Sequence, residues 1–176
     1  MLVMLERRLV TVCHREAARG DDAAVAVLML IYFGLRSSEV IARQARDLDD
    51  DGRILRIPHG KTRNATRSVE VPDDLRPHLQ ALADGGSDMF PGRTRHWPGY
   101  HCARLCRLAV LDEFRPHALR GALSSRLIEA GLTAAQIASA LGHGSSEVTQ
   151  RHYVDGDAAA RTEQRRRLKV LTGGRS

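Results

Sequence analysis

The chain has 176 residues, of which 43% are hydrophobic and 27% are charged. That length suits one domain with a single hydrophobic core, and the composition excludes collagen-like, disordered and fibrous chains. The longest apolar stretch, residues 23–35, is too short to span a bilayer, and charges at positions 6–8 interrupt any N-terminal leader. We therefore expect a folded cytoplasmic domain with no membrane segment.

The formal net charge is +6, from 27 basic and 21 acidic residues. This excess favours an anionic partner such as nucleic acid, although the same charge also serves solubility. All but two of the basic residues are Arg, the exceptions being Lys61 and Lys169. A lysine in such a chain calls for a chemical explanation.

Three cysteines occur, at Cys13, Cys102 and Cys106. Their number is odd, and the last two are spaced by a helical turn rather than by the short C-x-x-C loop of a zinc site. We interpret all three as reduced thiols packed in the interior. No acidic cluster indicates a metal site either.

Helical periodicity dominates the first part of the chain. Residues 2–18 carry one apolar stripe, and residues 22–33 are almost entirely apolar, as in a central helix. Gly34 is expected to end that helix, and Ser37 to cap the next. Arg36 would then lie in the tight connection between two helices.

Residues 47–72 alternate in polarity around a polar GKTRNATR turn, the pattern of a β-hairpin with Lys61 near its tip. Thr133 and Gln136 match a helical capping box. Helices are predicted over 73–83, 98–111, 116–130, 133–141, 146–153 and 157–171. The sequence thus predicts a mainly α domain with a small antiparallel β-hairpin or sheet.

His117 and Arg120 are three residues apart on a predicted helix, so both can face one site. His143 follows Leu141-Gly142, and Tyr153 stands ten residues later. Taken singly, each of these residues is more typical of a surface pair, a cap or a core position than of a catalyst.

Together with Gly34-Leu35-Arg36-Ser37-Ser38-Glu39 and the hairpin lysine, these residues form the ordered set Arg, Lys, His-x-x-Arg, His and Tyr. This set resembles the catalytic domain of the tyrosine recombinases, the phage integrase family, over roughly residues 5–160. Gly121 stands where the family often has His, and Ala-Leu-Ser replaces its usual Thr-Phe-Ala. We expect these departures to affect packing rather than chemistry.

The resemblance implies that Tyr153 attacks a scissile DNA phosphate, giving a 3′-phosphotyrosyl enzyme and a free 5′-hydroxyl. A phenol with an ordinary pKa of ~10 needs a proton acceptor, and His117 is the candidate. The departing 5′-oxygen needs a proton donor. Lys61 suits that role because Arg gives up a proton poorly, whereas the pKa of Lys falls beside other cations.

Arg36 and Arg120 would offset charge on the non-bridging phosphate oxygens, since guanidinium donates bidentately and stays protonated. His143 would hydrogen-bond a phosphate oxygen. Because the covalent phosphotyrosine conserves the bond energy, resealing needs no cofactor. The catalytic set is therefore Arg36, Lys61, His117, Arg120, His143 and Tyr153.

The implied partner is double-stranded DNA, bound by a homo-oligomer that forms a tetramer on DNA; a monomer in solution is compatible with this expectation. A helix over about 157–171 would dock into a neighbouring subunit, or alternatively pack back on its own chain. Four further arginines are candidate contacts to backbone phosphates. They are Arg63, Arg67, Arg104 and Arg107.

The favoured function is a site-specific DNA recombinase or integrase. A topoisomerase-IB-like nicking and resealing enzyme, and a DNA-binding accessory protein on the same fold, are the alternatives. We expect residues 1–176 to be one catalytic domain without the family's N-terminal core-binding domain. An excised domain and a naturally solitary one both fit this expectation.

Overall fold

A computed structural model describes residues 2–58 and 67–142 of the protein. The described helices are α1 (Leu2–Ala17), α2 (Asp22–Phe33), α3 (Ser37–Ile41), α4 (Arg76–Asp84), α5 (Trp97–Leu108), α6 (Pro116–Glu129) and α7 (Ala134–Leu141). The described strands are β1 (Leu48–Asp49), β2 (Ile54–Ile57) and β3 (Arg67–Glu70). The expected mainly helical fold with a small antiparallel sheet is confirmed.

Helix α2 forms the centre of the molecule. Every residue from Ala23 to Ile31 is buried, and α1, α5 and α6 all pack against this helix. Asp21 caps its first turn by accepting a hydrogen bond from the Ala23 amide at 3.0 Å. Gly34 ends it in the left-handed conformation, with φ 59°, as predicted.

The sheet has the order β1-β2-β3, with both pairs antiparallel. The predicted hairpin is therefore present, and the short strand β1 extends it by pairing Leu48 with Leu55. Arg43, a buried side chain, ties the sheet to α3. It donates to the Glu39 carbonyl at 2.7 Å and to the Arg56 carbonyl at 2.8 Å.

The other predicted helices agree with the structure to within about three residues, and Thr133 caps α7 as expected. Helix α5 ends at Leu108 rather than at residue 111, because Val110 adopts a positive φ of 55°. The predicted helices over 146–153 and 157–171, and the hairpin turn at 59–66, lie outside the described residues.

All three cysteines are buried and none forms a disulfide. They lie in the core on α1 and α5, in agreement with their interpretation as packed thiols. Among the helices that the structure describes, none is both long enough and apolar enough to cross a membrane.

Candidate active site

Arg120 lies in the middle of α6 and is only 3% exposed. One of its terminal nitrogens donates to the Gly34 carbonyl and the other to the Leu141 carbonyl. The guanidinium group therefore joins the C-terminal end of α2 to that of α7. Because helix ends carry carbonyls without intrahelical partners, a buried arginine satisfies both ends at once.

The close approach of these helices depends on Gly34. A Cβ at this position would lie 2.6 Å from Leu141 Cδ2 and 2.9 Å from Leu123 Cδ2. Gly34 also has a φ of 59°, a left-handed backbone conformation that L-residues other than glycine rarely adopt. Any larger residue would push α6 and α7 away from the end of α2.

Arg36 occupies the N-cap position of α3, with extended backbone at φ −74° and ψ 151°. The prediction that Ser37 caps this helix is wrong, because Ser37 is already its first helical residue. The Glu39 carboxylate accepts the Arg36 amide hydrogen at 2.8 Å, so a side chain three residues ahead satisfies the helix start.

The Arg36 side chain is 45% exposed and donates to Glu39 Oε1 at 2.9 Å and to the Gly142 carbonyl at 3.3 Å. Arg120 donates to the preceding carbonyl, that of Leu141. Two guanidinium groups from separate helices thus converge on one chain turn. This geometry brings Arg36 and Arg120 to the same turn, and their catalytic roles stay predictions.

Glu39 is the carboxylate on which this arrangement depends. It is buried, and its Oε2 lies 3.3 Å from a terminal nitrogen of Arg67 on β3. Burial raises the pKa of Glu39, but the amide hydrogen bond from Arg36 and the charge of Arg67 outweigh it and hold the pKa below its ordinary value. Sequence reasoning used Glu39 only as part of a motif, although its spacing from Arg36 indicates a pair.

His117 is exposed near the start of α6, three residues before Arg120 and therefore on the same side of the helix. It can face a substrate while Arg120 stays buried. The remaining predicted catalytic residues lie outside the described residues, so their roles stay predictions. They are Lys61, His143 and Tyr153, and the same applies to Arg63.

Three predicted phosphate contacts have protein partners in the structure. Arg104 pairs with Asp21 at the N-terminal end of α2, roughly 18 Å along a twelve-residue helix from the Gly34 end. Arg107 is exposed and pairs with Glu113. Arg67 is 7% exposed in its pair with Glu39, and so presents little surface to DNA.

A basic and aromatic surface is formed by the residues just before α5 and by its first turn. Sequence reasoning did not single out this surface. Arg93 stacks over the Trp97 ring at 4.9 Å. A Cβ at Gly99 would lie 3.7 Å from Pro116, which places this surface beside the start of α6. Its exposed members are Arg93, Arg95, His96 and Tyr100. The sequence contained a pattern that could have indicated this surface, since arginines are interleaved there with aromatic residues.

Chemically, the site offers fixed positive charge. Arginine stays protonated at any physiological pH and matches phosphate geometry with its planar fork. Within residues 2–58 and 67–142, no three His, Cys, Asp and Glu side chains are grouped as ligands for a metal ion. The described part of the site is thus suited to binding a phosphate through the exposed guanidinium of Arg36, with the buried charge of Arg120 beside it.

Solved structures of tyrosine recombinases share this fold. The XerA recombinase superposes with a TM-score of 0.73 at 21% identity, covering 93% of this chain and 63% of that one. XerH bound to a palindromic difH substrate gives 0.69 at 15% identity, covering 96% and 51%. The Tn1549 transposon integrase with transposon right end DNA gives 0.64 at 20% identity, covering 81% and 58%.

The model of the phage integrase family matches residues 6–159, so the chain belongs to that family. Tyrosine recombinase XerD of Rhizobium meliloti is 31% identical over 163 residues, covering 81% of this chain and 52% of the relative. A putative integrase/recombinase of Sinorhizobium fredii, y4eF, is 31% identical over 140 residues, covering 73% and 55%. The chain spans about half the length of the curated relatives it matches.

Proposed function

We propose that this chain is the catalytic part of a site-specific DNA recombinase that acts in the cytoplasm on double-stranded DNA. The observation that carries the proposal is the convergence of Arg36 and Arg120 on the Leu141–Gly142 turn. Arg36, whose side chain is 45% exposed, can bind the phosphate and stabilise its charge as phosphorus becomes five-coordinate, while the buried Arg120 adds positive charge at the same turn.

In the proposed reaction, Tyr153 attacks the scissile phosphate and displaces the 5′-oxygen of the next nucleotide. His117 accepts the phenolic proton, and its exposed position beside Arg120 supports this role. Lys61 protonates the departing oxygen, and His143 donates to a non-bridging oxygen. Attack by another 5′-hydroxyl on the phosphotyrosine then reforms the phosphodiester and releases Tyr153.

The duplex would extend over the surface at the start of α5. Arg93, Arg95, His96 and Tyr100 are exposed there and adjoin α6, which carries His117. Basic and aromatic side chains of this kind contact phosphates and sugars. Arg63, Arg104 and Arg107 remain proposed backbone contacts, whereas Arg67 is better explained by its pair with Glu39.

We further propose that the protein works as a homo-oligomer, a tetramer on DNA, with the helix predicted over 157–171 docked into a neighbouring subunit. The family resemblance supports this arrangement. The similar structures of the Tn1549 integrase and of XerH contain DNA, which supports a duplex as the partner.

The test is covalent trapping on a nicked duplex. Cleavage near the nick releases a short fragment that carries the free 5′-hydroxyl, and its diffusion away prevents resealing. A recombinase accumulates a protein–DNA adduct that survives denaturation and remains on the 3′-phosphate side. An accessory protein binds the duplex without forming an adduct. Relaxation of supercoiled plasmids lacking any defined recombination site would instead favour the topoisomerase-like alternative.

A further inference from the structure

We propose that Arg67 is a positioning residue for the phosphate site, acting on Arg36 through the buried carboxylate of Glu39. This inference rests on the proposed function, since Arg36 is there the phosphate-binding group. The geometry is a chain of three charged side chains that runs from the sheet, through α3, to the exposed site.

Both oxygens of Glu39 are used in this chain. Oε1 pairs with the Arg36 guanidinium at 2.9 Å, while Oε2 accepts the Arg36 amide at 2.8 Å and pairs with Arg67 at 3.3 Å. Arg67 and Glu39 are 7% and 6% exposed, against 45% for Arg36. The buried pair therefore forms the support, and Arg36 is the end that a phosphate can reach.

Attachment of the sheet to α3 does not depend on Arg67 alone. Arg43 already joins the two elements through the backbone carbonyls of Glu39 and Arg56, and it pairs with Asp47 at 3.1 Å. Arg67, in contrast, contacts the Glu39 carboxylate that holds Arg36. This difference favours a role in orienting Arg36 over a role only in holding the sheet.

Without Arg67, the Glu39 carboxylate would stay buried, and among its described contacts only those with Arg36 would remain. Among the described residues, the charged groups that face Glu39 are Arg36, Arg67 and Arg43. Because Arg67 lowers the pKa of Glu39, its loss raises that pKa. Arg36 would then lose part of the fixed anion that orients it, and a misplaced guanidinium stabilises the transition state less well.

The experiment compares Arg67→Ala and Arg67→Lys with Arg53→Ala. Arg53 is an exposed arginine that precedes β2 and has its ion-pair contact with Asp50, so it is the matched control. Adduct formation on the nicked duplex is timed for each variant, alone and combined with Arg36→Ala. We expect Arg67→Ala to slow it about tenfold or more, Arg67→Lys to recover part of that loss, and Arg53→Ala to match the wild type.

In the Arg36→Ala background, Arg67→Ala should slow adduct formation by less than a further factor of about two, because the effects of residues that act through one another are not additive. An equal slowing in both backgrounds would show that Arg67 only supports the fold. Wild-type rates for Arg67→Ala would also overturn the proposal.

A second measurement requires no DNA. The carboxyl carbon of Glu39 is titrated by NMR in the wild type, Arg67→Ala and Arg67→Lys, and the pKa should rise in the alanine variant and rise less in the lysine variant. An unchanged titration in both refutes the link. If the wild type forms no adduct, the proposed function fails, while this titration still decides whether Arg67 controls Glu39. If Arg67→Ala does not fold, the lysine variant gives the answer.

Discussion

Substitution of Gly34 by alanine tests the packing at the centre of the site. The new Cβ would lie 2.6 Å from Leu141 and 2.9 Å from Leu123, at a position whose φ is 59°. Two costs therefore combine, a left-handed backbone and an overpacked contact. The Gly34 carbonyl is also an acceptor for Arg120, so displacement of this segment disturbs the guanidinium.

The left-handed backbone costs roughly 1–2 kcal/mol for an L-residue, and overpacking typically costs about 1–3 kcal/mol. Gly20 separates the two costs, because its φ is 85° and a Cβ there would meet nothing within 4 Å. Gly20→Ala should therefore lower the free energy of unfolding by roughly 1–2 kcal/mol, and Gly34→Ala by about 2–5 kcal/mol.

Urea unfolding of both variants measures the difference directly. We expect Gly34→Ala to be about 1–3 kcal/mol less stable than Gly20→Ala, and to form the DNA adduct more slowly because Arg120 has moved. Equal stabilities for the two variants would refute the packing of α6 and α7 against Gly34.

Three further predictions concern single side chains. Arg120→Ala should slow adduct formation at least about a hundredfold, the equivalent of ~3 kcal/mol, because it removes a buried positive charge beside Arg36 and leaves the Gly34 and Leu141 carbonyls without this donor; a change of less than threefold would place the phosphate elsewhere. Lys61→Ala should be slow on an ordinary duplex but largely recover on one with sulfur at the bridging 5′ position, which leaves without a proton, and equal impairment on both would leave no general-acid role. Val110 is 77% exposed with a φ of 55°, so Val110→Gly should raise the free energy of unfolding by about 1 kcal/mol, whereas an unchanged urea midpoint would show that its backbone carries no strain.

Local patterns predicted most helix bounds because those bounds depend on nearby residues. The apolar run over 22–33 ends at a glycine that takes the left-handed conformation, and Thr133 caps α7 through its own hydroxyl. The end of α5 was predicted too late in the chain because Val110 adopts a positive φ, which a β-branched residue disfavours. Strand β1 was missed because two residues give no periodicity, and its pairing with β2 defines it.

The site shows the same division between local and distant causes. The resemblance placed Arg36 and Arg120 together, and the structure supplies the physical reason in two adjacent carbonyls at the end of α7. The pair between Glu39 and Arg67 joins residues 28 apart in sequence. No local pattern reports such a contact, so Arg67 looked like any other arginine of a basic chain.

The central claim is that Tyr153 becomes covalently linked to a DNA 3′-phosphate. The most direct test is to digest the adduct trapped on a nicked duplex and locate the nucleotide-bearing peptide by mass spectrometry, for the wild type and for Tyr153→Phe. We predict a phosphonucleotide on Tyr153 in the wild type and no adduct in Tyr153→Phe, which should still fold and bind the duplex. An adduct that persists in Tyr153→Phe, or that maps to another residue, would contradict the account.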